Sequence, residues 1–170
     1  MTLVEDMRAA LALERALMVE RGNGLAQAFI VHQQQAKEFY PFSEWGQYTL
    51  RVRERRVVVS FEWFRTEFRG VRGHRRMIYH TVARGLGPRY PDKAFQHAPA
   101  WERQLIQEVE NTLEQLRRRA ELMLKIEQHL KEYERSCMKG DPLAIYDRPL
   151  REPKDDEDEE DNDNWANVPF

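Results

Sequence analysis

The stretch Tyr48-Thr49-Leu50-Arg51-Val52-Arg53, followed after Glu54-Arg55-Arg56 by Val57-Val58-Val59-Ser60-Phe61-Glu62-Trp63-Phe64, decides the fold. In its first half Tyr48, Leu50 and Val52 alternate with Thr49, Arg51 and Arg53, the period of a strand buried on one face only. Its second half is β-branched and aromatic, which suits a pleated, packed surface. Two strands joined near Glu54-Arg55-Arg56 make a hairpin. Gly70-Val71-Arg72-Gly73-His74 supplies a second turn and Met77-Ile78-Tyr79-His80-Thr81-Val82 a third strand, so the expected sheet is a three-stranded antiparallel meander, closed by Gly85-Leu86-Gly87-Pro88.

Helical periodicity flanks this sheet on both sides. From Thr2 to about Arg21 the residues Leu3, Met7, Leu11, Leu17 and Met18 recur at helical spacing, with Thr2 and Glu5 placed for a capping box. Gly22-Asn23-Gly24 is expected to stop or bend that helix, because each glycine costs about 1 kcal/mol in a helix interior. A second helix then runs from Leu25 to Phe39. After a loop over residues 89–98, Pro99 suits a helix start. From there Trp101, Leu105, Val109, Leu113, Leu116, Ala120, Met123, Ile126, Leu130, Tyr133 and Cys137 follow one another by threes and fours. A helix of that length, on the order of 55 Å at about 1.5 Å per residue, outreaches a three-stranded sheet and needs the N-terminal helices or a second copy beside it. Lys139-Gly140-Asp141-Pro142 ends it.

The expectation is therefore an α+β protein with one domain over residues 1–140: helical over 1–42, an Arg-rich sheet and loop over 43–98, and a long helix over 99–138. An extended, disordered acidic tail is expected over 141–170. Cys137 lies on the apolar stripe of the long helix and reads as a core residue.

Charge is distributed unevenly along the chain. The 170 residues have a formal net charge of -2, but residues 154–170 hold Lys154 against eight acids, a net of −7, which leaves +5 on the rest. Between Arg51 and Arg89 there are eleven arginines, no lysine and only three acids, Glu54, Glu62 and Glu67, a net of +8. Arginine makes bidentate contacts to phosphate and guanine and stacks on bases, where lysine offers a point charge. The candidate nucleic-acid contacts are Arg51, Arg53, Arg55, Arg56, Arg65, Arg69, Arg72, Arg75 and Arg76. The competing reading is a solvated Arg-rich sheet face. Trp63, Phe64, Phe68 and Tyr79 can stack on unpaired bases, but they read first as core against the helices.

Other chemistries find no support. The histidines at 32, 74, 80, 97 and 129 form no ligand pair, neither Gly22-Asn23-Gly24 nor Gly85-Leu86-Gly87 makes a phosphate loop, and Ser43, Ser60 and Ser136 lie in no nucleophile elbow. No catalytic residue, metal or cofactor is expected, and the chain reads as a non-enzyme. One cysteine makes no intrachain disulfide, two acids among the first six residues argue against a signal peptide, and no run approaches the roughly 20 apolar residues of a membrane span. A cytoplasmic protein without a membrane partner is expected.

The tail closes on Trp165, Val168, Pro169 and Phe170. Acids followed by Val-Pro-Phe resemble the C-terminal tip of bacterial single-stranded-DNA-binding proteins, in which the terminal Phe enters a partner's apolar pocket and its carboxylate meets a base. Here Ala166-Asn167 replaces the acids that directly precede that triplet. The likeness implies a partner-binding role for Trp165, Val168, Pro169 and Phe170 and hence an alternative function, a protein-interaction factor of a phage or mobile element.

A second resemblance covers about residues 45 to 135. Tyr48-x-Leu50-x-Val52, Phe61-Glu62-Trp63-Phe64, the Tyr90-Pro91 loop, and a closing helix that begins Trp101-Glu102 and carries Glu108 and Arg117 are together similar to the MobI-type conjugative transfer (mobilisation) proteins. That likeness implies a DNA-binding accessory factor of a mobile genetic element, acting at the origin of transfer beside a relaxase. It brings a relaxase or other transfer protein as partner, beside the DNA that the arginines point to and a homodimer that the long helix could form.

Overall fold

A computed structural model describes residues 2–71 and 73–138. The chain divides into two compact units, residues 1–134 and 135–170, and the sheet and its packing belong to the first. The tail with Trp165, Val168, Pro169 and Phe170, and Arg72 in the second turn, lie outside the described residues.

Helix α1 runs unbroken over Leu3–Phe39. Thr2 caps it as its sequence predicts: the Thr2 hydroxyl accepts from the Glu5 amide and the Glu5 carboxylate from the Thr2 amide. The expected break at Gly22-Asn23-Gly24 is absent, and packing is the reason. Gly22 is buried against the sheet, where an added Cβ would run into the Phe61 ring and reach 3.0 Å from the Val52 Cγ2. The glycine lets helix and sheet approach closely, and the burial gained offsets its poor helix propensity.

Strands β1 (Tyr48–Arg55), β2 (Val58–Arg69) and β3 (Arg76–Thr81) form an antiparallel sheet in the order β1-β2-β3. The meander is the one the sequence predicts, with β2 running five residues beyond Phe64 because Arg65 to Arg69 pair with β3 from Arg65↔His80 to Arg69↔Arg76. Arg56-Val57 make the first turn, and Arg56 takes φ 54° there, a left-handed conformation that costs a non-glycine residue about 1–2 kcal/mol. Helix α2 spans Ala100–Met138.

Both helices cover the same side of the sheet and run antiparallel to each other. The Arg8 guanidinium meets Glu134 at 2.6 Å near one end, Arg119 meets Glu14 at 3.8 Å, and Gln33 Nε2 donates to Glu102 at 2.7 Å near the other. The partner that the long helix requires is thus α1. The core between the layers is built from Met18 and Phe29 of α1, Tyr48, Leu50, Phe61 and Trp63 of the sheet, and Ile106, Leu113 and Leu116 of α2. Tyr90, Phe95 and Ala98 from the segment before α2 close its end. That segment contains a turn of 3-10 helix, Asp92–Phe95, where the sequence suggests only loop.

The buried stripe of α2 departs from its apolar pattern. Cys137 is exposed, whereas Glu102, Glu110, Arg117 and Glu127 are buried. Glu110 and Arg117 form a two-pronged pair at 2.8 and 3.0 Å. Glu110 also accepts from the Trp63 indole (2.7 Å) and the Tyr90 amide (3.0 Å), and Arg117 donates to the carbonyls of Phe61 and Pro88. Each charge therefore has both a counter-charge and hydrogen-bond partners, which a buried ion requires. The pair ties β2, the Tyr90-Pro91 loop and α2 to one another.

Candidate nucleic-acid interface

Strand alternation and the observed register sort the sheet residues by face. Tyr48, Leu50, Val59, Phe61 and Trp63 point at the helices and are buried. On the other face stand Thr49, Arg51, Arg53 and Arg55 of β1, Val58, Ser60, Glu62, Phe64, Thr66 and Phe68 of β2, and Met77, Tyr79 and Thr81 of β3. None of these thirteen positions is buried, so this face is open to solvent.

The open face is cationic and aromatic. Among the described residues Glu62 is its one acid, 3.8 Å from Arg53, a half-exposed pair that water screens. The Arg51 guanidinium lies 4.6 Å from the centre of the Phe64 ring. Beside the face runs the segment from Tyr40 to Gln47, held in place by hydrogen bonds to α2: the Trp101 indole donates to the Glu44 carbonyl at 2.9 Å, and Glu102 accepts from the Gln47 amide at 2.9 Å. This anchoring sets Phe42 with its ring centre 6.5 Å from that of Phe68 and 5.1 Å from the Arg75 guanidinium, and places Trp45 under the Lys37 ammonium at 5.0 Å. A groove of about 540 Å³ lies between this segment and the far end of β2 and β3, with Phe42, Phe68, Met77 and Tyr79 in its lining.

The nine candidate arginines do not share one surface. Arg51, Arg53 and Arg55 stand together on the open face, Arg56 is exposed at the tip of the first hairpin, and Arg75 joins the aromatic groove through Phe42. Arg65, Arg69 and Arg76 project from the opposite face, towards the end the helices leave uncovered. There Glu67 meets Arg69 at 2.8 Å, Arg65 at 3.4 Å and His80 at 2.8 Å. The hydrogen bond from Arg69 is the largest cause holding the Glu67 carboxyl below its ordinary value, and burial works against it. Arg65 and His80 also line a shallow basic cavity of about 480 Å³ with Lys93 and His97.

Of the aromatic residues read first as core, only Trp63 is core; Phe64 is half-buried, and Phe68 and Tyr79 are exposed. The signal for this was in the register: Phe64 and Phe68 share the parity of Glu62 and Thr66, opposite to that of Phe61 and Trp63. Phe42 has no such signal, because the path of its loop is set by bonds to α2. Among the described residues no three His, Cys, Asp or Glu side chains gather in a way that could hold a metal ion, and no helix is long and apolar enough to cross a membrane.

The family model described as MobI protein matches residues 18–131, a span that takes in all three strands and most of both helices. The chain belongs to the MobI family. The match begins within α1, whereas the likeness begins only at about residue 45, beyond that helix, and the match includes Gly22, whose close approach to Phe61 joins helix to sheet. Membership in MobI gives the protein a role in conjugative mobilisation. Neither the curated proteins nor the solved structures contain a match to the chain.

Proposed function

We propose that this MobI protein is a non-enzymatic, DNA-binding accessory factor of conjugative transfer that acts at the origin of transfer beside a relaxase. The observation that carries the reading is the open sheet face, where Arg51, Arg53 and Arg55 project together and Glu62 is the one acid among the described residues. A surface of fixed cations with few anions gains its affinity from counterions released by the phosphates, so binding must weaken steeply with salt. The partners this reading implies are DNA, a relaxase or another transfer protein, and, at a two-fold symmetric site, a second copy of the chain.

Fluorescence anisotropy on labelled DNA over a series of salt concentrations tests it. The expected result is a linear fall of log affinity against log salt, with the slope reduced by roughly 0.7–0.9 for each phosphate that is no longer neutralised by an arginine. The double variant Arg53→Ala/Arg55→Ala, at two exposed or half-exposed positions, binds more weakly and with a shallower slope. Affinity that does not change with salt contradicts the reading.

A further inference from the structure

We propose that the open face of the sheet takes single-stranded DNA, with unpaired bases stacked on the rings of Phe68, Tyr79 and Phe42 and the phosphates along Arg51, Arg53 and Arg75. This rests on the reading of that face as a DNA-binding surface and narrows it to one kind of DNA.

The rings carry the argument. Phe68, Tyr79 and Phe42 are 54%, 60% and 53% exposed, whereas Trp63 and Phe61, further back along β2 on the helix-covered face, are at 0% and 1%. Three half-bare rings in one patch gain little from the fold. Phe68 and Tyr79 lie on the same face of neighbouring strands, since Phe68 pairs with Met77 and Tyr79 with Thr66. That makes them diagonal neighbours, about 7–8 Å apart in such a ladder. Phe42 adds a third ring, its centre 6.5 Å from that of Phe68.

Stacked bases of one duplex strand are about 3.4 Å apart, half the spacing of the two sheet rings, and show only their edges in the grooves. A duplex therefore has nothing to lay on these rings. Unpaired bases drawn apart along a strand have free faces at a spacing the rings can meet, and stacking on aromatic side chains accepts any base. The guanidinium groups stand where a backbone beside such bases would run: Arg75 lies over Phe42 at 5.1 Å, and Arg51 lies over Phe64 at 4.6 Å, two residues along β2 from Thr66, the partner of Tyr79.

The test compares three ligands on the full chain: a labelled 12-nucleotide thymidine strand, an abasic strand of the same length and phosphate number, and a 12-base-pair duplex. Two variants accompany it, Phe68→Leu/Tyr79→Leu and Arg51→Gln/Arg53→Gln, with folding checked by circular dichroism and thermal melting. Expected is roughly tenfold or greater preference for the thymidine strand over the abasic one. The leucine variant loses that preference but keeps its salt slope, and the glutamine variant loses affinity for every ligand. Equal binding of the thymidine and abasic strands overturns the proposal while leaving DNA binding intact. So does duplex binding that is tighter than single-strand binding and indifferent to the leucine variant. Absence of binding to all three ligands overturns the DNA-binding reading itself.

Discussion

Glu102 is fully buried, with its two oxygens accepting from the Gln47 amide (2.9 Å), the Tyr48 amide (3.0 Å) and Gln33 Nε2 (2.7 Å). Burial pushes its carboxyl above the ordinary glutamate value, and the three donors only partly pull it back. The native protein thus holds this proton more tightly than the unfolded chain does. The contribution of Glu102 to stability is consequently greatest below the ordinary glutamate range and declines as pH rises through its raised native value. Half-buried Glu67 and Glu114, held low by Arg69 and Arg118, act with the opposite sign, so the total pH profile conceals the effect. Comparing urea midpoints of the parent and Glu102→Gln isolates it: the advantage of the parent over the variant is expected to shrink as pH rises from about 4 to 7. An advantage that grows over this range contradicts the assignment. A glutamate and an arginine at helical spacing look like solvated surface in a sequence, and Glu110 and Arg117 do too. Nothing in the order of residues shows that Trp63 and Tyr90 supply a donor each to Glu110.

At the scale of elements, α1 carries two glycines with opposite meanings. Gly24 has no atom within 4 Å of an added Cβ, whereas Gly22 meets Phe61 and Val52. Gly24→Ala is expected to raise stability by about 0.5–1 kcal/mol through helix propensity alone. Gly22→Ala gains the same propensity and then forces helix and sheet apart, an overpacking cost of about 1–3 kcal/mol, so it lowers stability. Thermal melting of the two single variants checks the pair, and shifts of the same sign contradict the packing account. The strands and both helices were legible because burial of one face imposes a period of two or of 3.6 on the residues. The continuity of α1 was not, since a glycine pair looks alike whether it ends a helix or lets one settle against a sheet. The exposure of Phe68 was legible in strand parity, which sets it opposite Phe61 and Trp63, but that of Tyr79 was not, since β3 carries no buried aromatic to compare it with and an aromatic residue in a strand signals the sheet rather than its uncovered face.

Over the whole molecule, a body of net +5 is joined to seventeen residues of net −7. Deleting residues 154–170 changes the formal charge from -2 to +5 and with it the long-range field that a polyanion meets on approach. The association rate with DNA is expected to rise several-fold at low salt and to converge with that of the full chain once the Debye length falls to about 3 Å near 1 M. Stopped-flow mixing at the two ionic strengths measures this. An unchanged rate at low salt would remove the tail from any account of DNA encounter and leave it to the partner-binding role that Trp165 and Phe170 suggest.

The sheet ends at β1, whose outer edge has no strand beside it among the described residues. At Tyr48 that edge is closed by side chains: Gln33 Nε2 donates to the Tyr48 carbonyl at 2.7 Å, and Glu102 accepts from the Tyr48 amide. Beyond Tyr48 the outward amides and carbonyls fall on alternate residues, Leu50, Val52 and Glu54, flanked by Arg51, Arg53 and Arg55. Charged flanks of this kind repel a second open edge and keep sheets from joining into aggregates. The same three arginines thus guard the colloidal solubility of the protein, and a variant stripped of all three charges will tend to self-associate through β1 whether or not any nucleic acid is present.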